Sequence, residues 1–234
     1  MNNNGLLSYI HPAGWPFIVI AALVAVFLTL FGGVALMFGL IILGWVIYFF
    51  RDPKRVTPVR PGLIVSPADG RVCQIMDVVP EPVLGLGEET RTRISIFLNV
   101  FDVHINRSPV DGTVSKISYR AGKFVNASLD KASVDNERNA LAITMSGDHP
   151  YAGQTIGVVQ IAGLIARRIL CFVVPDQKLL AGERFGLIRF GSRTDIYLPK
   201  GIQPMVMIGQ RVLGGETIIA DASSQEPRRE GEVR

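Results

Sequence analysis

No Lys, Arg, Asp or Glu occurs in the first 50 residues; all 24 basic and all 20 acidic residues fall between Arg51 and Arg234. Within the charge-free stretch, the sequence from Trp15 to Phe50 is apolar and is interrupted mainly by Gly32-Gly33. One continuous helix over that run would be about 54 Å long at about 1.5 Å per residue, far beyond a hydrocarbon core of about 30 Å. A break at Phe31-Gly32-Gly33 divides it into residues 15–31 and 34–50. Each half sits at the short end of the spanning range. A tight two-helix hairpin crossing the bilayer and a re-entrant pair dipping into one leaflet therefore both fit. A hairpin capping a soluble body is the other reading, and the length of the uncharged run speaks against it. A secretory signal fits poorly, because no positively charged segment precedes the apolar one. Arg51-Asp52-Pro53-Lys54-Arg55 then forms a basic stop of the kind retained on the cytoplasmic side. The expected plan is a membrane-anchoring hairpin over 1–50 and a globular body over 51–222 at the cytoplasmic face of the cell membrane. Residues 223–234 read as a disordered polar tail.

Roughly a quarter of the residues after position 50 are charged, an ordinary proportion for a globular domain. The net charge of +4 is too small to argue for nucleic acid, although it suits a surface of anionic lipid. Cys73 and Cys171 match no metal-ligand spacing, which predicts reduced thiols and no metal. Past Pro61 the pattern becomes short β-branched runs punctuated by Gly, Pro, Asn and Asp. Candidate strands are 71–79, 93–100, 112–119, 140–146, 155–161, 187–190, 195–198, 205–208 and 217–220, with a turn-rich link over 209–216. Many short strands without long helical periods predict a mainly-β body, a compact barrel or sandwich, behind the apolar helical hairpin. Ile161, Leu164, Ile165 and Ile169 have helical spacing directly after a strand signal, so that stretch admits either state.

Histidine is scarce enough to weigh each one. His11 lies beside Pro12 ahead of the apolar run and reads as interfacial; His149, in Gly147-Asp148-His149-Pro150, reads as a turn residue. His104 follows an apolar strand and is flanked by Asp, Asn and Arg, a place for a positioned base or for a structural hydrogen-bonding histidine. Ser66-Pro67-Ala68-Asp69-Gly70 is a good turn by composition, and Asp69 could equally orient an imidazole. Phe190-Gly191-Ser192-Arg193 joins two strand-like runs. Gly-Ser suits a tight hairpin turn, and it also suits attack by the Ser192 hydroxyl on the preceding carbonyl, since Gly191 tolerates the backbone such an acyl shift requires. Arg51, Lys54, Arg55, Arg189 and Arg193 are cations that could meet a phosphate or carboxylate, or form an exposed basic rim.

Taken in order, five blocks resemble the pyruvoyl-dependent phosphatidylserine decarboxylases in their short, membrane-associated bacterial and archaeal form. They are Phe50-Arg51-Asp52-Pro53, Ser66-Pro67-Ala68-Asp69-Gly70 and Asp102-Val103-His104-Ile105-Asn106-Arg107-Ser108-Pro109, then residues 123–132 with Asn136-Glu137-Arg138-Asn139, then residues 182–192. The resemblance covers about residues 48–210. It implies a zymogen in which Ser192 attacks the Gly191 carbonyl, and the resulting ester eliminates and hydrolyses to a covalent pyruvoyl cofactor at position 192. The products would be a β chain, 1–191, and an α chain, 192–234, held as a heterodimer, with further homo-oligomerisation open. The substrate would be phosphatidylserine in the membrane, condensed through its amine as a Schiff base and released as phosphatidylethanolamine and CO₂. Asp69 and His104 resemble the orienting acid and the base that activates Ser192. Longer members carry two histidines in this block, whereas the second position here is Arg107; their cleavage motif reads Leu-Gly-Ser-Thr where this chain has Phe-Gly-Ser-Arg. Two other readings compete: a membrane-anchored serine hydrolase that does not cleave itself, and a non-catalytic membrane-tethered β-barrel binding module.

Overall fold

A computed structural model describes residues 9–122, 136–163 and 168–232. Two units are distinguished: the described residues up to Lys54 together with Phe101–Val103, and Arg55–Val100 together with the described residues from His104 onward. The block 123–132 that carries part of the resemblance, and Leu164 and Ile165 of the ambiguous stretch, lie outside the described residues.

In the first unit a 3-10 turn, Pro12–Gly14, leads into helix α1, Trp15–Leu28, and a second, Thr29–Phe31, precedes helix α2, Gly33–Phe49. Pro16 in the first turn of α1 loses no intrahelical hydrogen bond there. The chain reverses at Gly32, whose φ of 95° is open to glycine and strained for other residues. Small residues let the helices approach closely: a Cβ on Gly39 would stand 2.7 Å from the Ala25 Cα. The open end is stapled, with His11 N donating to Phe50 O at 2.8 Å and Asp52 N to Tyr9 O at 2.6 Å. Phe17 stacks on Phe50, and the Arg51 guanidinium lies 3.8 Å over the Tyr48 ring. Leu23, Phe27, Leu30, Phe31, Val34 and Ile41 are exposed around the hairpin. The span Pro12–Phe31 is long and apolar enough to cross a membrane, while Gly33–Phe49 is a shorter apolar helix. The break expected at Gly32-Gly33 is where the two helices part.

The second unit is built from antiparallel strands: β1 (Leu63–Val65), β2 (Gly70–Val78), β3 (Arg91–Leu98), β4 (Ile105–Arg107), β5 (Gly112–Arg120), β6 (Arg138–Met145), β7 (Thr155–Ala162), β8 (Arg168–Cys171), β9 (Lys178–Leu179), β10 (Arg184–Arg189), β11 (Ser192–Tyr197), β12 (Arg211–Val212) and β13 (Ile218–Asp221). A curled eight-stranded sheet runs β12-β2-β3-β11-β7-β6-β5-β9, a three-stranded sheet runs β4-β10-β8, and β1 pairs with β13. Alternation along the strands sorts the residues of the large sheet. Ile94, Ile96 and Leu98 of β3, Leu141 and Ile143 of β6, Ile156 and Val158 of β7 and Ile196 of β11 enter the main core. Ala140, Val159, Ile161 and Tyr197 face the other way and pack under Leu84 and Leu86. The mainly-β body behind a helical hairpin is therefore the observed architecture.

Some strand readings shift. Residues 205–208 form no strand, and the pairing with β2 comes from Arg211–Val212 inside the expected turn-rich link. The described part of the ambiguous stretch is extended, in β7 and β8. The tail carries no regular element through 232, although Arg228 donates to Ile75 O and Arg229 to Met205 O, each at 3.0 Å.

Candidate active site

β10 pairs with β4 and β8, whereas β11 pairs with β3 and β7. The step Phe190-Gly191 is therefore not the tip of a hairpin: it carries the chain from one sheet into the centre of another. Both residues have positive φ, 61° at Phe190 and 50° at Gly191. For a phenylalanine that conformation costs about 1–2 kcal/mol, which the flanking ladders must offset. Among the described residues a Cβ on Gly191 would meet nothing within 4 Å, so its positive φ, and not crowding by them, calls for glycine there. The Gly191 carbonyl accepts a hydrogen bond from Gly163 N at 2.9 Å. Ser192 is wholly buried opposite Ala162 and Leu98, and its Oγ has no hydrogen-bond partner among the described residues.

His104, buried, immediately precedes β4; its carbonyl accepts from Ile188 N at 3.1 Å, fixing it against the strand that leads into the Gly191 step. Asp69 is buried before β2, where its Oδ2 accepts from Arg55 Nη2 at 2.6 Å and its Oδ1 from Gly214 N at 2.8 Å. A Cβ on the neighbouring Gly70 would overlap the Phe97 carbonyl, which holds this turn tightly on β3. The three segments meet at Asn106. Its Nδ2 donates to Pro67 O at 3.4 Å and to Thr194 Oγ1 at 3.2 Å, and Arg107 N also donates to Pro67 O, at 2.9 Å. The Asp69 turn, the His104 strand and the Ser192 strand thus share one buried polar junction.

Two of the sequence-predicted cations have another place. Arg55 is spent on Asp69. Arg193 is fully buried on the outer face of β11, where it forks onto Asp195 through Nε–Oδ1 at 2.9 Å and Nη2–Oδ2 at 3.0 Å. Neither the rim nor the phosphate reading of Arg193 survives that burial. Burial, and next the Asp195 carboxylate, push the nearby Tyr197 hydroxyl up to about 12, so it stays neutral. Removing Arg193 takes from the buried Asp195 carboxylate its forked partner and leaves the Arg93 guanidinium 3.9 Å away. Arg193→Met should lower stability by about 3–5 kcal/mol in denaturant unfolding, and adding Asp195→Leu should recover most of it.

Sequence reading missed Asn106, Thr194, Gln160, Asn139 and Gly163. A signal for some of them exists in hindsight: Gln160 lies between Val158 and Ala162 at an inward position of an apolar strand, and an inward amide must find polar company. Gly163 acts through its main chain and leaves no such mark.

A mainly-β body that buries the Ser192 hydroxyl directly after a strained Phe190-Gly191 step between two sheets suits an enzyme better than a binding module. Residues 42–220 match the model of the phosphatidylserine decarboxylase family. The chain is 55% identical over 224 residues to the phosphatidylserine decarboxylase proenzyme of Cereibacter sphaeroides, covering 96% of this chain and 94% of that protein. It is 52% identical to the protein of the same name from Paramagnetospirillum magneticum, over 96% of this chain and 92% of that one. With that of Granulibacter bethesdensis it shares 56% identity over 90% of this chain and 84% of the relative. The chain belongs to the phosphatidylserine decarboxylase family.

Proposed function

We propose that this chain is a membrane-associated proenzyme that cuts itself between Gly191 and Ser192 and then decarboxylates phosphatidylserine to phosphatidylethanolamine and CO₂. The observation that carries the first half is the geometry of the scissile step. A carbonyl polarised by the Gly163 N–H sits in a left-handed turn directly before a buried hydroxyl that makes no other hydrogen bond among the described residues. The Ser192 oxygen attacks the Gly191 carbonyl carbon while His104 takes its proton, and Asp69 steadies the arrangement. The negative oxygen that develops on Gly191 lies on the Gly163 donor. Breaking the Gly191–Ser192 C–N bond leaves an ester and a free amine. Loss of the Gly191 carboxylate by elimination gives dehydroalanine at 192, and addition of water with release of ammonia leaves a pyruvoyl group. The keto oxygen comes from that water and takes the place of the Ser192 nitrogen while the Ser192 Cβ becomes a methyl group, and the hydroxyl oxygen that leaves with the Gly191 carboxylate has no hydrogen bond to lose among the described residues.

That group supplies an electron-accepting carbonyl conjugated to the substrate nitrogen, the role pyridoxal phosphate fills elsewhere. The chain's own residues bind and orient: Ser192 stands at the head of β11, clamped on both sides by β3 and β7. His104, the buried ring base just before β4, returns a proton to the product carbon. An apolar hairpin followed by Arg51, Lys54 and Arg55 supports placing the body at the cytoplasmic face of the membrane, where a lipid headgroup can be reached.

Cleavage does not imply separation of the fragments. The α fragment, from 192, contributes β11 between β3 and β7, β12 beside β2 and β13 beside β1, so a β/α heterodimer persists until the sheet unfolds. Intact mass and a denaturing gel of purified protein should give two fragments that co-elute in native buffer. A single 25.5 kDa species from active enzyme overturns the proposal and favours an uncleaved serine hydrolase.

A further inference from the structure

Two hydroxyls on the inner face of β11, Ser192 and Thr194, are fully buried. Thr194 Oγ1 accepts from Asn106 Nδ2 at 3.2 Å, and among the described residues its own proton meets no acceptor. Behind Asn106 stand two more buried amides. Gln160 Nε2 donates to Asn106 Oδ1 at 2.8 Å, and Asn139 Nδ2 donates to Gln160 Oε1 at 2.9 Å.

Chemistry fixes the direction of this relay. Pro67 O can only accept, so the Asn106 NH₂ group faces it and Oδ1 faces Gln160. Gln160 must then present its NH₂ to Asn106 and its oxygen to Asn139. Every amide donates towards Thr194, whose hydroxyl is left with a proton to give. At the far end Asn139 Oδ1 is buried without a donor among the described residues, a cost that an apolar core would not incur. A relay kept at that cost ends on an unused donor two residues from Ser192, on the same face of the strand. This is the construction of a subsite for a ligand oxygen.

We infer that Thr194, aimed by Asn106, Gln160 and Asn139, holds the carboxylate of the substrate whose amine is bound at position 192; the inference rests on the function proposed above. Amine and carboxylate of a serine headgroup share one carbon, so a donor beside the amine site meets the carboxylate before the more distant phosphate. The four relay residues are uncharged, and the charged side chains of β11, Arg193 and Asp195, lie on its opposite face. Neutrality suits a carboxylate that leaves as CO₂. A guanidinium would stabilise the charge that the reaction removes, and so favour the ground state over the transition state. A hydroxyl orients the leaving group and gives up little as the charge departs. Thr194 makes and breaks no covalent bond. Asn106 is a positioning residue acting through it.

The test uses full-length protein with phosphatidylserine vesicles. Thr194→Val should self-cleave as the parent does yet lose about 10- to 100-fold in kcat/KM, the worth of one hydrogen bond to a charged group. Thr194→Ala serves the same purpose should the valine variant not accumulate, and Thr194→Ser should restore most of the loss. Asn106→Asp, which cannot donate when ionised, should impair decarboxylation, and in combination with Thr194→Val the two losses should not multiply. Cyanoborohydride trapping of phosphatidylethanolamine on the α chain, read as a mass increase, should be equal in parent and Thr194→Val, because that lipid has no carboxylate. Parent-like decarboxylation by Thr194→Val, or equal loss of phosphatidylethanolamine trapping, overturns the carboxylate subsite. A parent chain that never cleaves instead overturns the proposed function on which the subsite rests.

Discussion

Ser192→Ala should remain a single chain, show no decarboxylation above background, and be at least as stable as the parent. The first two outcomes follow from the missing Oγ: no other atom of residue 192 can attack the Gly191 carbonyl, and without the ester there is no carboxylate to eliminate and no route to a pyruvoyl group. The third follows from the structure of the site. The Ser192 hydroxyl is fully buried and makes no hydrogen bond among the described residues, so the fold carries its desolvation cost without return. Deleting it removes that cost and leaves the ladders on β3 and β7 intact. A melting temperature equal to or above that of the uncut parent, with cleavage abolished, is the expected signature of a residue retained for chemistry. Normal turnover by Ser192→Ala would refute the assignment of the nucleophile. A marked drop in stability would instead show the hydroxyl to be structural. Ser192→Cys keeps a nucleophile at the same place, and should cleave slowly to an ester-like thioester.

Different parts of this arrangement were legible in the sequence for different physical reasons. The hairpin is compositional: a run without charges and with one Gly-Gly break leaves little choice of element, and Gly32 is where the chain turns. The long strands β2, β3, β5, β6 and β7 carry enough alternation to be read. β4, β8, β9 and β12 have two to four residues each, too few for any period, and exist only because a partner strand is already in place. The Gly191 step marks the deeper limit. Two residues with positive φ between two apolar runs look the same whether the runs pair with each other or with separate sheets, and only the three-dimensional pairing distinguishes them. Arg193 reads as a surface cation because its partner, Asp195, sits two residues on along a strand, a spacing that gives no local hint of burial. Asn106 lies in a strand of three residues, so nothing in its neighbourhood announces that it joins the Asp69 turn to β11.

Gly163→Pro should slow self-cleavage by about 100- to 1,000-fold, the effect of removing one donor from a developing oxyanion. Gly163 follows the last residue of β7, and its N–H continues the β7–β11 ladder by one rung, onto the carbonyl that Ser192 attacks. An ordinary ladder bond is thereby aimed at a reacting atom, and it needs no reorganisation when charge builds there. Proline deletes this hydrogen, and the backbone admits it: Gly163 is not among the glycines with positive φ, and Ala162 before it is already extended, as a residue preceding proline prefers. Gly163→Ala keeps the N–H and should cleave at close to the parent rate, which separates the hydrogen bond from the side-chain change. Adding hydroxylamine, which cuts an ester between Gly191 and Ser192, locates the block. If the donor assists ester formation, hydroxylamine should not rescue the proline variant; rapid cutting would mean that the ester forms normally and that Gly163 acts later. Equal cleavage by the proline and alanine variants would remove Gly163 from the reaction altogether, and leave the strained Phe190-Gly191 turn as the activating feature of the scissile bond.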